Sequence, residues 1–167
     1  MLHTIPYFQQ NLETDLSRVN VVINRAVQSE VALISQIGTY IISAGGKRLR
    51  PILTILAGKC LGYDSDKLYS LAAMVEFIHT STLLHDDVVD ESELRRGRKT
   101  ANHLFGNAAA VLVGDFLYTR AFQLMVGSGS LKILEVMAEA TNIIAEGEVM
   151  QLMNIGNTDI TEEQYVQ

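Results

Sequence analysis

Apolar residues recur at helical spacing along almost the whole chain. Between residues 12 and 23 they follow one face of an amphipathic helix: Leu12, Leu16, Val19, Val22 and Ile23. Further helical segments are predicted over 31–42, 51–61, 68–89, 107–126 and 130–152, and a helix cap at 158–163. No segment alternates apolar and polar residues as a half-buried strand does. The pattern predicts an all-α fold of several packed helices.

The segment from Leu68 to Val89 is apolar around its whole circumference, which predicts a buried helix. It leads into the acidic run His85–Glu91. At 100° per residue, Asp90 lies about 40° from Asp86, so these carboxylates share one face, one turn apart. Near the negative end of the helix dipole they repel each other and lose hydration, which a bound cation would relieve. Oxygen ligands favour Mg²⁺ over zinc; the alternative is a solvated helix end paired with nearby arginines.

Composition narrows the class of protein. A chain of 167 residues, 48% hydrophobic and 19% charged, is typical of one globular domain and not of a disordered chain. The single cysteine, Cys60, cannot form an internal disulfide, so we expect a reducing, cytoplasmic location. We expect no secretory signal and no membrane span, because no leader pattern and no uncharged run of about 18 apolar residues is present.

The distribution of charge indicates the kind of partner. The net charge is −6, from 13 basic and 19 acidic residues. Its excess lies in residues 100–167, while seven cations fall in two clusters, at 47–50 and at 95–99. An acidic protein with two local basic clusters is a poor nucleic-acid binder. It is a better candidate for binding a small, highly charged anion.

Both basic clusters are candidate phosphate-binding segments. Arg95 and Arg96 follow Asp90 closely enough to fold back over the acidic face, and arginine forks bind phosphate oxygens. Because Mg²⁺ on carboxylates usually completes its shell with substrate phosphates, this combination indicates a diphosphate held through the metal. The segment Gly45–Pro51 is the second candidate, since its glycines permit close approach and its cations begin a helix. An ordinary charged helix entry or surface cation is the alternative for each cluster taken alone.

Taken together, these segments resemble the first half of a trans-polyprenyl diphosphate synthase, in its branch closest to the bacterial octaprenyl enzymes. The resemblance covers nearly the whole chain and rests on five segments: Gly45–Pro51, Phe77–Asp90, Arg95–Gly97, Gly114–Tyr118 and Glu146–Leu152.

The resemblance implies an all-α, homodimeric prenyltransferase of isoprenoid and quinone side-chain biosynthesis. It implies that Asp86 and Asp90 are Mg²⁺ ligands within a catalytic motif that includes Asp87. It assigns Arg95 to the allylic diphosphate. It assigns four residues to isopentenyl diphosphate: Lys47, Arg50, His79 and Arg96.

Ser81 and Thr82 are the candidate chain-length residues. In short-chain members of the family, bulky aromatic residues near these positions block the cavity floor, whereas both residues here are small. The resemblance therefore implies a medium- or long-chain product, and we expect octaprenyl diphosphate. The alternative is that two small polar residues only ease helix packing.

The family also has a second catalytic half with another aspartate-rich motif, which this sequence does not show. We therefore expect residues 1–167 to be the N-terminal part of a single synthase domain, with little activity alone. Three alternatives remain: a non-catalytic helical subunit of a heteromeric synthase, an HD-type metallophosphohydrolase centred on His85-Asp86, and a di-iron protein using Glu76 and His79.

Overall fold

The computed structural model describes residues 12–43 and 46–166, and in these ranges the predicted all-α class is confirmed. The helices are α1 (Glu13–Val27), α2 (Ala32–Ser43), α3 (Leu49–Cys60), α4 (Lys67–Val89), α5 (Ala101–Phe105), α6 (Asn107–Gly127), α7 (Leu131–Met153) and α8 (Glu162–Val166). Two short antiparallel strands, β1 (Leu94–Arg95) and β2 (Arg98–Lys99), follow α4.

The chain divides into two compact units, Met1–Gly129 and Ser130–Gln167. In the first unit α4 is the central helix, packing most extensively on α6 and then on α3 and α1. Buried residues surround α4, as its sequence predicts. The largest fully buried side chains include Phe77, Ile23, Ile37, Ile55, Met74, Leu84, Leu117 and Met125.

The second unit contains α7 and α8, each with a side-chain cap. The Ile133 amide donates to Ser130 Oγ at the start of α7. At the start of α8, the Gln164 amide donates to Thr161 Oγ1 and the Thr161 amide donates to Gln164 Oε1. This reciprocal pair is a capping box, and its first residue, Thr161, lies in the segment predicted to begin a helix.

Helix α4 passes very close to α6 just before the acidic run. Ser81, 1% exposed, donates from its hydroxyl to the Gly114 carbonyl at 2.8 Å. A Cβ atom at Gly114 would lie 2.4 Å from His85 Nε2, so only glycine admits the imidazole at this distance. These contacts fix the end of α4 against α6.

By length and composition alone, α6 could cross a membrane. It carries Asp115 and Arg120, and its buried residues belong to the core that it forms with α4. The two charges explain why the sequence contains no uncharged apolar run here.

Candidate functional site

Four predicted binding residues line one open cavity of about 580 Å³ in the first unit: Lys47, Arg50, His79 and Arg96. The cavity lies between the residues that lead into α3, the middle of α4 and the hairpin. Residues far apart in sequence therefore form one cationic pocket, as a binding site for a small anion requires.

The start of α3 places Lys47 and Arg50 at this cavity. The helix begins at Leu49, two residues before the predicted start at Pro51. Proline is tolerated in this first turn, because the N–H that it lacks would have no partner within the helix there. Gly45 lies outside the described residues. Gly46 is close to the hairpin, since a Cβ atom there would lie 3.0 Å from Arg96 Nη1.

His79 faces the cavity from α4 and is half-buried. Burial lowers the pKa of His79 below its usual 6.5, and the charge on Arg50 lowers that pKa further, against an opposing effect of Glu76. The folded protein therefore favours neutral imidazole, which has one N–H to donate to an oxygen ligand.

This lowered pKa makes stability depend on pH. Because the folded-state pKa lies below the unfolded one, the stabilising contribution is present above about pH 6.5 and is lost as pH falls through the folded-state value. We expect the melting temperature to fall less between pH 8 and pH 5 in His79→Gln than in the unsubstituted chain. The exposed His103→Gln is the matched control, and an equal fall in all three proteins would contradict the prediction.

The hairpin brings Arg96 to the cavity. Arg96 and Gly97 have φ of 53° and 77°, the two positive values that a type I′ hairpin turn requires. Tyr40 on α2 anchors this hairpin by donating its hydroxyl to the Lys99 carbonyl at 2.6 Å, and Arg98 lies 4.7 Å from the Tyr40 ring centroid. The helical spacing predicts no helix over residues 91–99 and indicates neither the strands nor the role of Tyr40.

The acidic run forms the last turn of α4 and stays helical as far as the cap residue, Asp90. The Asp90 amide donates to the Asp86 carbonyl at 2.8 Å, which keeps these residues one turn apart on one face. Asp86 is half-buried and Asp90 is exposed, whereas Asp87 is 2% exposed. Asp86 and Asp90 therefore keep part of their hydration, and a cation there relieves less desolvation than at the end of a fully buried helix.

Arg95 folds back onto Asp87 rather than onto the face that Asp86 and Asp90 share. Its Nε and Nη2 atoms each donate to Asp87 Oδ1 at 2.9 Å.

Two further side chains hold the turn that follows the acidic run. Asn102 donates to the carbonyls of Asp87 and Ser92 at 3.0 and 3.1 Å, and Thr100 donates to the Ser92 carbonyl at 2.6 Å. No pattern in the sequence indicates these contacts.

The candidate chain-length residues have different surroundings. Ser81 is buried against α6 through its bond to Gly114, whereas Thr82 is half-buried and donates to the His79 carbonyl at 2.9 Å. The Ser81 contact supports helix packing, and Thr82 is the more accessible of the pair.

The donor set at the end of α4 fits a divalent cation that is only partly held by protein. Asp86 and Asp90 offer carboxylate oxygens on one accessible face, leaving other positions for water and phosphate, the usual arrangement for Mg²⁺. Within residues 12–43 and 46–166, no group of three or more His, Cys, Asp or Glu could hold a metal. Residues of the two alternative metal sites contact other groups. Glu76, of the di-iron alternative, pairs with Arg48. His85, of the HD-type alternative, has its Nε2 atom 3.2 Å from the Val111 carbonyl and 3.3 Å from Asp115.

Comparison with known proteins shows which family the chain is similar to. The polyprenyl synthetase family model matches residues 31–167. Octaprenyl diphosphate synthase of Escherichia coli (strain K12) is 60% identical over 152 residues, which cover 91% of this chain and 47% of that protein. The geranyl-diphosphate-specific all-trans-nonaprenyl-diphosphate synthase of Rhodobacter capsulatus is 47% identical over 92% of this chain and 47% of its own length. The chain thus spans about half the length of these curated relatives.

A solved structure extends the similarity to three dimensions. The crystal structure of a polyprenyl synthase from Caulobacter crescentus CB15, complexed with calcium and isoprenyl diphosphate, superposes with a TM-score of 0.93 at 49% identity. The match covers 96% of this chain and 49% of that one.

Proposed function

The chain belongs to the polyprenyl synthetase family, and from that premise we propose that it forms the diphosphate-binding part of an all-trans polyprenyl diphosphate synthase. The proposed reaction is Mg²⁺-dependent condensation of isopentenyl diphosphate with an allylic diphosphate. One observation carries the proposal: Lys47, Arg50, His79 and Arg96 surround a single cavity. The similar Caulobacter enzyme, which was crystallised in complex with calcium and isoprenyl diphosphate, supports both the ligand class and a divalent cation.

Each group of residues has a distinct task in this proposal. The cavity cations bind isopentenyl diphosphate, and His79 donates its N–H to a diphosphate oxygen. Asp86 and Asp90 would hold Mg²⁺, which supplies positive charge to the diphosphate of the allylic substrate. Arg95, oriented by Asp87, adds a guanidinium beside that diphosphate.

In the condensation, the allylic C–O bond breaks and inorganic diphosphate leaves with the bonding electron pair. The isopentenyl double bond attacks the resulting allylic carbocation, forming a new C–C bond. Loss of a proton restores a double bond in a chain five carbons longer. The residues of this chain bind and orient the two diphosphates and stabilise the charge of the leaving group.

We propose octaprenyl diphosphate as the product, destined for a quinone side chain, because the name of the Escherichia coli relative specifies that length. The Rhodobacter relative, at 47% identity, is named for a nonaprenyl product. Thr82, the more accessible of the two chain-length candidates, is the better position at which to vary length. A homodimer, a cytoplasmic location and low activity of this chain alone stay predictions.

Calorimetric binding of isopentenyl diphosphate tests the proposed site directly. Hydrogen bonds to charged groups contribute about 1.5–3 kcal/mol, so we expect Lys47→Ala and Arg50→Ala each to weaken binding roughly 10- to 150-fold. Both side chains are exposed, so the fold should tolerate their truncation. Arg25→Ala, an exposed cation in the last turn of α1, is the matched control. Unchanged affinity in both cavity variants would reject the site.

A further inference from the structure

Arg48 and Glu76 form an ion pair in the wall of the cationic cavity. Arg48 Nη1 donates to Glu76 Oε1 at 2.6 Å, and Nη2 lies 3.5 Å from the Ile42 carbonyl at the end of α2. Both side chains are largely buried, at 18% and 12% exposure. The guanidinium thereby connects α2, the residue before α3 and the middle of α4.

We propose that Arg48 and Glu76 are positioning residues, which hold the segment before α3 so that Lys47 and Arg50 face the cavity. The inference rests on the proposed function, because it concerns the ligands of the same cavity. Arg48 stands between those two cations in the chain and immediately precedes α3. Its side chain contacts Glu76 on α4. This contact holds the Arg48 backbone, and the Arg48 backbone sets the direction in which α3 begins.

The backbone of Arg48 supports this role. Its φ of 49° and ψ of 33° lie in the left-handed region, where a residue with a side chain is strained. Such a conformation persists only where surrounding contacts impose it. The contacts made by the guanidinium, to Glu76 and Ile42, provide that constraint.

Glu76 is otherwise unexpected in this place. A carboxylate beside an anion-binding cavity repels the ligand, and at this burial the repulsion is only partly screened. Its pairing with Arg48 accounts for its presence, since a largely buried guanidinium needs a counter-charge.

The negative charge of Glu76 weakens binding of the ligand, whereas its positioning role strengthens it. The sign of the change in affinity after substitution therefore distinguishes the two effects. Glu76→Ala removes both the negative charge of the cavity wall and the acceptor of the Arg48 hydrogen bond, and electrostatics alone predicts tighter binding of isopentenyl diphosphate in this variant. If Glu76 positions the segment through Arg48, binding weakens instead, by about tenfold, the lower end of the loss found for residues that orient the ligands of a metal ion. Calorimetry measures the affinity, and circular dichroism verifies helix content at the same temperature. Tighter or unchanged binding by the folded variant would overturn the proposal.

A second variant covers the case in which Glu76→Ala does not fold. Arg48→Lys keeps the charge but loses the planar fork that reaches both Glu76 and Ile42. Positioning predicts weaker binding in this variant, whereas a purely electrostatic role predicts unchanged affinity, which would overturn the inference. Lys47→Ala and Arg50→Ala separate the two proposals: normal binding in those variants rejects the site itself. Their failure to bind, beside normal binding in Arg48→Lys, rejects only the positioning role.

Discussion

In the presence of Mg²⁺, Asp86→Asn should bind an allylic diphosphate such as farnesyl diphosphate at least about 100-fold more weakly than the unsubstituted chain. Residues that only orient a metal ligand cost about 10- to 100-fold, so the loss of a ligand should cost no less. Asp86 and Asp90 share one accessible face, and the helical bond between them keeps that face intact in the variant. The affinity that remains should match that of the unsubstituted chain measured with EDTA.

Glu91→Gln is the matched control for this experiment. It removes the same charge one residue beyond Asp90, from an exposed side chain outside the helix. Titrating farnesyl diphosphate with and without Mg²⁺ separates metal-dependent binding from simple attraction by the cations. Metal-dependent binding that survives in Asp86→Asn, or that disappears equally in Glu91→Gln, would contradict the assignment. A chain that never shows metal-dependent binding would instead behave as a non-catalytic helical subunit.

Helical periodicity was sufficient to predict most of the fold. Each predicted long segment corresponds to a helix, because the spacing of apolar residues is a local property of the sequence. In α4 the apolar residues are buried around the whole circumference, whereas α7 is helical although none of its residues is buried. The two-stranded hairpin at 94–99 could not be predicted in this way, since most of its residues are charged and its stability comes from contacts with distant Tyr40. Its turn had one local signal, Gly97, the residue that a positive φ favours.

Local spacing could not decide which carboxylate of the acidic run is buried. Asp87 lies about 100° around the helix from Asp86, and periodicity alone does not show which of these faces meets another element. The answer depends on where the hairpin folds, because the hairpin supplies Arg95 to Asp87. The inward turn of Arg48 is similarly non-local, being set by contacts with Ile42 and Glu76.

The Asp87–Arg95 ion pair is unequally buried, which makes the consequences of removing each partner unequal. The Asp87 side chain is 3% exposed and that of Arg95 is 37% exposed. Without Arg95, the carboxylate stays in the interior with no cation. With Asp87 neutralised to asparagine, an amide oxygen still accepts from Arg95, and the guanidinium still reaches water. Burial therefore predicts that the arginine matters more to stability than the aspartate, although one ion pair joins them.

We expect Arg95→Ala to lower the free energy of unfolding by about 3–5 kcal/mol, since it leaves an uncompensated buried charge. Asp87→Asn should lower it by only about 1–2 kcal/mol, the cost of weakening one charged hydrogen-bond pair. The double variant Asp87→Asn/Arg95→Ala should be more stable than Arg95→Ala alone, because the buried charge is gone. Urea denaturation followed by circular dichroism measures all three. Equal losses in the two single variants, or no recovery in the double variant, would mean that Asp87 is not held in the interior as a carboxylate that depends on Arg95.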